Sequence, residues 1–503
     1  MAERNANYSK YLAFPFLGEN SRDPLLAMAD KYAVSMNNFF PKGTYGELRR
    51  GYRSHSTSLG TGAVETIAAY YSARGTEKLI GCANNRIYDA TSYGAAATSK
   101  ASGFTSNRWQ TVNYLDKLIL VNGVDQPQQY DGSTVSNAAY TGIADDNKLV
   151  DVCVYKERLF FVEKDSASIW YLPVGTVTGA LTEFPVKDFM RGGGYIQAIS
   201  TWTANTGAGL SDLLVVITSE GEILTYTGTD PATDFSLDGR YMIPKPHGRR
   251  CKRNIGADLF ILHQQGITSL GQLISGVDVA TGFTQFTNAI APTFTSASDL
   301  YGSNTGWDIF FYPRGQWALV NVPIASNSVS KQFILNTETK AWCQFTGINS
   351  LCWCLFQEKA YFGGVDGTIY QADITGSDNG SAINASVKFA FNFFNDSSST
   401  KLFHMARADI AGSNDANLLF AMDVDGQSTM STDSIDITEQ EGSEWDTSPW
   451  DSTPWGQESF YSTNIEGLQA EGKAGALKIS GKFRNVAIKI MGAQVYFEKG
   501  GYI

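Results

Sequence analysis

Lys117-Leu-Ile-Leu-Val-Asn-Gly-Val-Asp-Gln-Pro-Gln-Gln-Tyr130-Asp-Gly132 reads as a β-hairpin. A polar residue opens a run of β-forming apolars. Asn122-Gly123 supplies the chemistry of a turn, and a second strand ends near an aromatic. The same pattern appears upstream as Lys78-Leu-Ile-Gly-Cys82 to Tyr88-Asp89. Downstream it returns as Arg158-Leu-Phe-Phe-Val162 to Trp170-Tyr171, Asp212-Leu-Leu-Val-Val-Ile217 to Tyr226, and Asp258-Leu-Phe-Ile-Leu262 to Leu270. Looser copies are Trp307-Asp-Ile-Phe-Phe-Tyr312 to Val322, and Lys359-Ala-Tyr-Phe-Gly363 to Tyr370. The starts lie 39, 41, 54, 46, 49 and 52 residues apart. Most hairpins follow another strand-like run, such as Val64–Tyr71, Trp109–Tyr114, Val150–Tyr155, Ile196–Trp202 or Leu351–Phe356. One lead strand, one hairpin and an outer strand make a four-stranded blade. A repeat of about 40–50 residues that buries its faces only against its neighbours is the signature of a radial array. The expected fold is all-β: a six- or seven-bladed β-propeller over residues 61–376, with a β-sandwich as the competing arrangement.

Residues 1–60 read as an extended N-terminal arm packing on the platform or on a neighbouring subunit, because Pro and Gly interrupt it too often for long helices. A short helical turn is expected at Pro24–Ala29, with Asp23 as its cap and Pro24 in the first turn. Glu47–Tyr52 is a strand candidate. Residues 377–503 carry further strand patterns and read as a β-rich C-terminal platform domain.

Composition sets the outer limits. In 503 residues, 18% charged and 13% aromatic, there is enough apolar content for a core and too little charge for disorder or long coiled coils. No apolar run reaches the ~18–20 residues of a membrane helix, and Met1–Asn5 opens no signal peptide. The six cysteines form no C-x-x-C pair and read as buried hydrophobes of a reducing compartment. The net charge of −11 has one source: residues 408–472 hold 14 acids and no Lys or Arg. They include Asp423, Asp425, Asp433, Asp436, Glu439, Glu441 and Glu444. This stretch is either a solvated acidic face or a surface that repels a polyanion or meets a basic partner. Nucleic-acid binding by the whole chain would need a net positive stripe and is disfavoured.

Tests for chemistry fail. His55, His247, His263 and His404 have no metal-helix spacing, and no Ser sits in G-x-S-x-G. Gly467–Ala474 nearly matches a phosphate loop but ends in Ala and leads into a strand pattern. The Asp-rich turn of sialidase propellers is absent, and Asp423-Val-Asp425-Gly426 lacks the later ligands of a calcium loop. No enzyme, cofactor or metal is expected. Two features remain. His247-Gly-Arg249-Arg250-Cys-Lys252-Arg253 is the densest basic cluster, either an exposed loop between blades or a contact to a phosphate or acidic neighbour. Trp445, Trp450 and Trp455 recur every five residues with Pro before two of them, which fits neither helix nor strand. They cover their own domain or dock against a neighbouring subunit.

Read in order, several segments resemble the tail nozzle (tail hub) proteins of short-tailed bacteriophages. They are Ser21–Met28, Asn38–Pro41 with Leu48–Tyr52, Phe161–Ser166, Ile169–Gly175, Arg191–Gly194, Ser219–Glu222, Tyr226–Pro231, Gly248–Cys251, the Trp-Asp series and Tyr496–Gly501. The resemblance implies a structural virion protein of the tail, made in the host cytoplasm. It implies a propeller joined to a β-rich platform, six copies in a ring, and no catalysis. It also implies a channel that helps retain packaged DNA and conducts it during ejection, with a portal or adaptor ring above. Tail fibres or spikes and a needle or plug are the further implied partners. On that reading Trp445, Trp450, Trp455, Arg249 and Arg250 are candidate subunit contacts, and the seven acids named above are a candidate channel wall or rim. The alternative is a glycan-binding propeller that reads a host surface.

Overall fold

The computed structural model describes residues 7–205, 210–275, 286–412, 418–427, 440–441 and 460–502. Seven sheets follow one another along the middle of the chain. The first comprises Thr66–Tyr71, Glu77–Ala83, Arg86–Asp89 and Thr98–Ser102. The second is Gln110–Tyr114, Lys117–Val121, Gln128–Tyr130 and Val135–Asn137. The third is Leu149–Tyr155, Arg158–Glu163, Ser168–Tyr171 and Thr182–Pro185. The fourth is Ile196–Asn205, Leu210–Thr218, Glu222–Thr227 and Ser236–Met242, and the fifth has three strands, Lys252–Ile255, Asp258–His263 and Gly266–Ser269. The sixth is Asp308–Tyr312, Trp317–Ala325, Val329–Asn336 and Trp342–Phe345. The seventh is Ser350–Phe356, Lys359–Gly364, Ile369–Thr375 and, from the N-terminal arm, Gly51–Ser56.

The first strand of each sheet touches the first strand of the next, and Ser350–Phe356 returns to Thr66–Tyr71. The sheets therefore close a ring around an axis, as the blades of a propeller do. Separate apolar clusters fill the gaps between neighbouring blades: Tyr70, Ile80, Leu120 and Tyr130 between the first two, and Phe160, Val162, Leu214 and Tyr226 between the third and fourth. Each face of a blade is buried only by its neighbour, which is why the hairpin pattern had to repeat. Several tight turns carry two successive positive-φ residues without glycine, among them Leu115-Asp116, Lys156-Glu157 and Gln357-Glu358. That geometry matches the twist of a two-residue hairpin.

Three expectations change. The repeat aligns Trp307–Tyr312 with the second strands of other blades, whereas Asp308–Tyr312 is an inner strand that pairs with Trp317–Ala325. The fifth blade has a helix, Ala291–Tyr301, in place of a regular outer strand, and Phe294 and Ala297 bury its inner side. Pro24–Ala29 holds one turn, as expected, with Ala27 N–H donating to Pro24 O. The boundary at residue 61 also moves, since Gly51–Ser56 is the outer strand of the last blade.

The platform is a pair of packed sheets. One contains Asn7–Ala13, Phe39–Lys42, Tyr45–Leu48, Ser399–Gly412, Phe460–Gly472 and Ile488–Tyr502. The other contains Ala33–Asn37, Ile383–Phe389, Leu419–Val424, Gly475–Arg484 and the short Gln440–Glu441. It continues into the sixth blade through Asn37 beside Gln344. Phe14, Phe39, Phe389, Phe403, Ile479 and Val495 are buried in the cluster between them. The arm thus packs on the platform of its own chain and then threads into the propeller.

Candidate functional site at the propeller axis and the domain seam

The inner strand of each blade is the end of its sheet, so one row of its backbone N–H and C=O groups faces the axis without a strand partner. Polar side chains from other blades cover these edges. Thr66 Oγ1 accepts from Trp109 N (2.9 Å), and Asn113 Nδ2 donates to Ala69 O (2.7 Å). Asp151 Oδ2 accepts from Ile199 N (2.9 Å), and Asp308 Oδ2 from Trp353 N (3.3 Å). Lys252 Nζ reaches both Asp151 and Ile199 O, while Asn254 Nδ2 donates to Thr201 O (3.0 Å).

Arg249 and Arg250 belong to this hub. Arg249 Nη1 donates to Gln197 O (2.9 Å). Arg250 Nη2 crosses from the fifth blade to Thr66 Oγ1 (2.8 Å) and Trp109 O (3.2 Å). The basic cluster is therefore the approach to, and start of, an inner strand whose cations point into their own propeller. Neither reading of it as an exposed loop or as an outward contact describes these two guanidiniums. Asp308 is buried, and burial raises its pKa against the opposing pull of Arg250 and Arg253. Burial, and then the like charge of Arg250, lowers the pKa of Arg108.

The second charged centre lies where the chain passes between the units. Arg49 sits between Tyr45–Leu48 of the platform and Gly51–Ser56 of the propeller, and Asp378 lies on the return from Ile369–Thr375 to Ile383–Phe389. Arg49 Nη1 and Nη2 donate to Asp378 Oδ1 and Oδ2 at 2.7 and 2.6 Å. Its Nε donates to Asn38 Oδ1 (2.7 Å) and its Nη2 also to Thr346 O (2.8 Å). Both side chains are buried. Burial raises the Asp378 pKa, and Arg49 opposes that rise. A Cβ on Gly51 would stand 1.9 Å from Ser377 O, so the two crossing segments touch only because residue 51 has no side chain.

Glu19 is a third buried charge. Gln344 Nε2 donates to its Oε1 at 2.7 Å and Met36 N to its Oε2 at 3.3 Å. Burial pushes its pKa up to about 7, with Gln344, Met36 and Lys331 acting in the other direction.

Of the acids read from the sequence, Asp423 is buried and ion-paired with Lys388. It is a core partner and not part of a solvent-facing wall. Asp425 has φ +52° and accepts from Lys473 N and Ala474 N (2.8 and 2.9 Å), so its carboxylate organises a turn. Glu441 lies in the two-residue strand beside Arg484. Asp433, Asp436, Glu439, Glu444, Trp445, Trp450 and Trp455 lie outside the described residues. All six cysteines are buried, and burial raises their thiol pKa values, to about 12 for Cys153, Cys251, Cys352 and Cys354. Among the described residues no group of three or more His, Cys, Asp or Glu is placed to hold a metal ion, and no helix is long and apolar enough to cross a membrane.

No protein-family model matches the chain, and no curated protein matches it. Among solved structures, Saccharomyces cerevisiae Sqt1 aligns over 64% of this chain and 99% of its own at 9% identity, TM-score 0.40. YCF48 from Cyanidioschyzon merolae aligns over 64% and 98% at 11% identity, TM-score 0.39. The computationally designed Ika8 protein aligns over 64% and 100% at 10% identity, TM-score 0.38. The assignment of the class, a β-propeller with a β-rich platform, rests on the strand order and the closed ring of inner strands described above.

Proposed function

We infer that the chain is a structural virion protein, a ring-forming nozzle or hub of a short bacteriophage tail. It extends the portal channel, helps retain packaged DNA and conducts it during ejection. The observation that carries this reading is the architecture, a propeller joined to a β-rich platform, which is what the family resemblance implies. The buried Arg49–Asp378 clamp suits a part that bears load between two units. It performs no catalysis and uses no cofactor.

The conduit in this reading is the axis of a homohexameric ring. The axis of a single propeller is crossed by Arg250 near the start of the inner strands. A closed ring needs a heterologous contact that shuts on itself. The outer face of the platform sheet offers apolar surface for it: Tyr11, Leu402, Met405 and Ile465 are exposed, with Ile465 at 57%. Strand pairing sets Tyr11, Gln494, Arg407 and Ile465 in one row. A neighbouring copy is the occupant this reading assigns to that face. The portal or adaptor ring, tail fibres or spikes, and a needle or plug complete the partners.

Electron cryomicroscopy of the native particle, averaged without imposed symmetry, tests the proposal. A six-fold ring coaxial with DNA density is the expected result. Peripheral copies with no common axis would overturn it. Ile465→Glu should weaken ring assembly in sedimentation while leaving the melting of the chain unchanged.

A further inference from the structure

The edge strand Asn7–Ala13 of one platform sheet pairs only with Ile488–Tyr502 among the described residues. Lys10, midway along it, reaches across to the other sheet. Its Nζ donates to Asn392 Oδ1 at 2.8 Å and lies 3.8 Å from Asp30 Oδ2. Asn392 Nδ2 in turn donates to the same Asp30 oxygen at 2.6 Å. One amine, one amide and one carboxylate therefore meet in a closed triangle, each from a separate segment of the chain. Asn392 follows Ile383–Phe389 and Asp30 precedes Ala33–Asn37, both strands of the second sheet.

The amide is set up as an electrophile. Asn392 is buried, and its backbone N–H and C=O both bond Gly475, at 2.9 and 3.0 Å. Its Oδ1 also accepts from Phe394 N at 2.6 Å. Phe394 and Asn395 stand at φ +52° and +65°. That region is costly for a bulky side chain, and the turn it makes brings the Phe394 N–H back onto the amide oxygen. A backbone N–H on a carbonyl oxygen stabilises the negative charge that develops there when a nucleophile adds. The Lys10 side chain is 23% exposed, with Nζ 6.0 Å from the centroid of the Phe394 ring and Asn395 Oδ1 as a further acceptor at 3.4 Å. The Asp30 carboxylate faces both the amine that must lose protons and the nitrogen that must leave. It is 58% exposed, which gives the leaving group a route to solvent.

We propose that Lys10 and Asn392 join in an intramolecular isopeptide bond, with Asp30 as the proton carrier. Asp30 takes a proton from the Lys10 ammonium. The freed Nζ lone pair adds to Asn392 Cγ, and the C=O electron pair moves onto Oδ1 beside the Phe394 N–H. Oδ1 then returns its pair, the Cγ–Nδ2 bond breaks, and Nδ2 leaves as ammonia with the proton that Asp30 carried. A second Nζ proton passes through Asp30 to the ammonia, which departs as ammonium. Overall, an ammonium and a primary amide become a secondary amide and an ammonium ion, and no oxidant or co-reactant is consumed. The bond staples an edge strand of one sheet to the other sheet, so the N-terminal strand cannot be peeled from the platform. It belongs to a single chain, whether or not copies assemble into a ring.

Peptide mass spectrometry of the full-length chain tests this, on fresh protein and after incubation at alkaline pH, where the lysine amine is more often free. Trypsin does not cut at an acylated lysine. The expected product is residues 5–22 joined to residues 389–401, lighter than the two together by one ammonia. Its yield should rise with time and with pH. Lys10→Arg keeps the charge but cannot form the bond, and should give no joined peptide and a lower melting temperature than the linked chain. Asp30→Asn changes an exposed position and keeps its shape. It should slow joining by about a hundredfold, the lower end of what a positioned acid–base group supplies. Absence of the joined peptide from both fresh and aged protein overturns the proposal. Joining at an unchanged rate in Asp30→Asn overturns the role given to Asp30.

Discussion

The axis of the propeller and the seam beneath it both hold buried charge, and they stabilise it in opposite ways. At the axis, cations and acids from several blades are spread over backbone edges, and no single pair dominates. Lys252 bonds a carboxylate and a carbonyl, and Arg250 a hydroxyl and a carbonyl. At the seam one guanidinium and one carboxylate face each other in a two-point ion pair, with Asn38 Oδ1, Arg50 O and Thr346 O taking the remaining donors. A distributed network loses a fraction of its bonds when one member goes. A buried pair that loses one partner leaves the other as an unpaired charge, at a cost far above what the intact pair contributes.

That contrast is sharpest in its largest expected effect. Asp378→Ala should destabilise the chain by about 3–5 kcal/mol in urea unfolding. The double variant Arg49→Met with Asp378→Leu should recover much of the loss, because no charge is stranded. If the single variant costs no more than a surface change, the seam is not the dry clamp described here.

Glu19 gives the next effect and adds pH. Its folded pKa of about 7 lies above the ordinary value of 4.5, so the folded chain keeps a proton that the unfolded chain releases. This contribution is complete below about pH 4.5 and is lost as pH rises through about 7. Glu19→Gln should therefore be near neutral at pH 4 and stabilising by about 3 kcal/mol at pH 9, by 1.36 kcal/mol per pKa unit. Thermal melts of both proteins across pH check the sign, and parallel curves would show that Glu19 titrates normally.

Arg250→Ala should cost about 1.5–3 kcal/mol, the scale of hydrogen bonds from a charged donor. That is less than the seam variant, although Arg250 reaches a residue 184 positions away in the chain. An equal loss would erase the distinction between the two centres. The smallest effect belongs to the exposed turn Leu115-Asp116, which follows the inner strand of the second blade. Leu115 is 55% exposed with φ +45°. Leu115→Asn should stabilise by about 0.5–1 kcal/mol, since Asn tolerates that backbone region better.

The regular blades were legible because their signal is local. Alternating apolars and turn pairs such as Asn122-Gly123 report strand and hairpin from within a dozen residues. The fifth and sixth blades are less legible for the same reason. The segment from Leu270 to Trp307 carries helices where the repeat led one to expect strands, and Asp308–Tyr312 is as apolar as a second strand while serving as a first. The candidate sites were less legible still. Arg249 and Arg250 stood out as a cluster, but nothing near them in sequence says that their acceptors are Gln197, Thr66 and Trp109. Glu19, Arg49, Asp151, Asp308 and Asp378 gave no signal beyond their charge.

By itself the sequence determined an all-β chain of repeated hairpins, a thiol set suited to burial, and strand patterns in the C-terminal region. Each follows from periodicity, turn chemistry or composition, which act over short spans of chain. Only the tertiary structure decided that the N-terminal arm supplies the last strand of the last blade. Only it decided that the basic cluster turns inward, and that Arg49 meets Asp378. Those outcomes depend on ring closure and on which distant groups lose water together. The cost of burying an unpaired charge is set by where the closed chain places its partner.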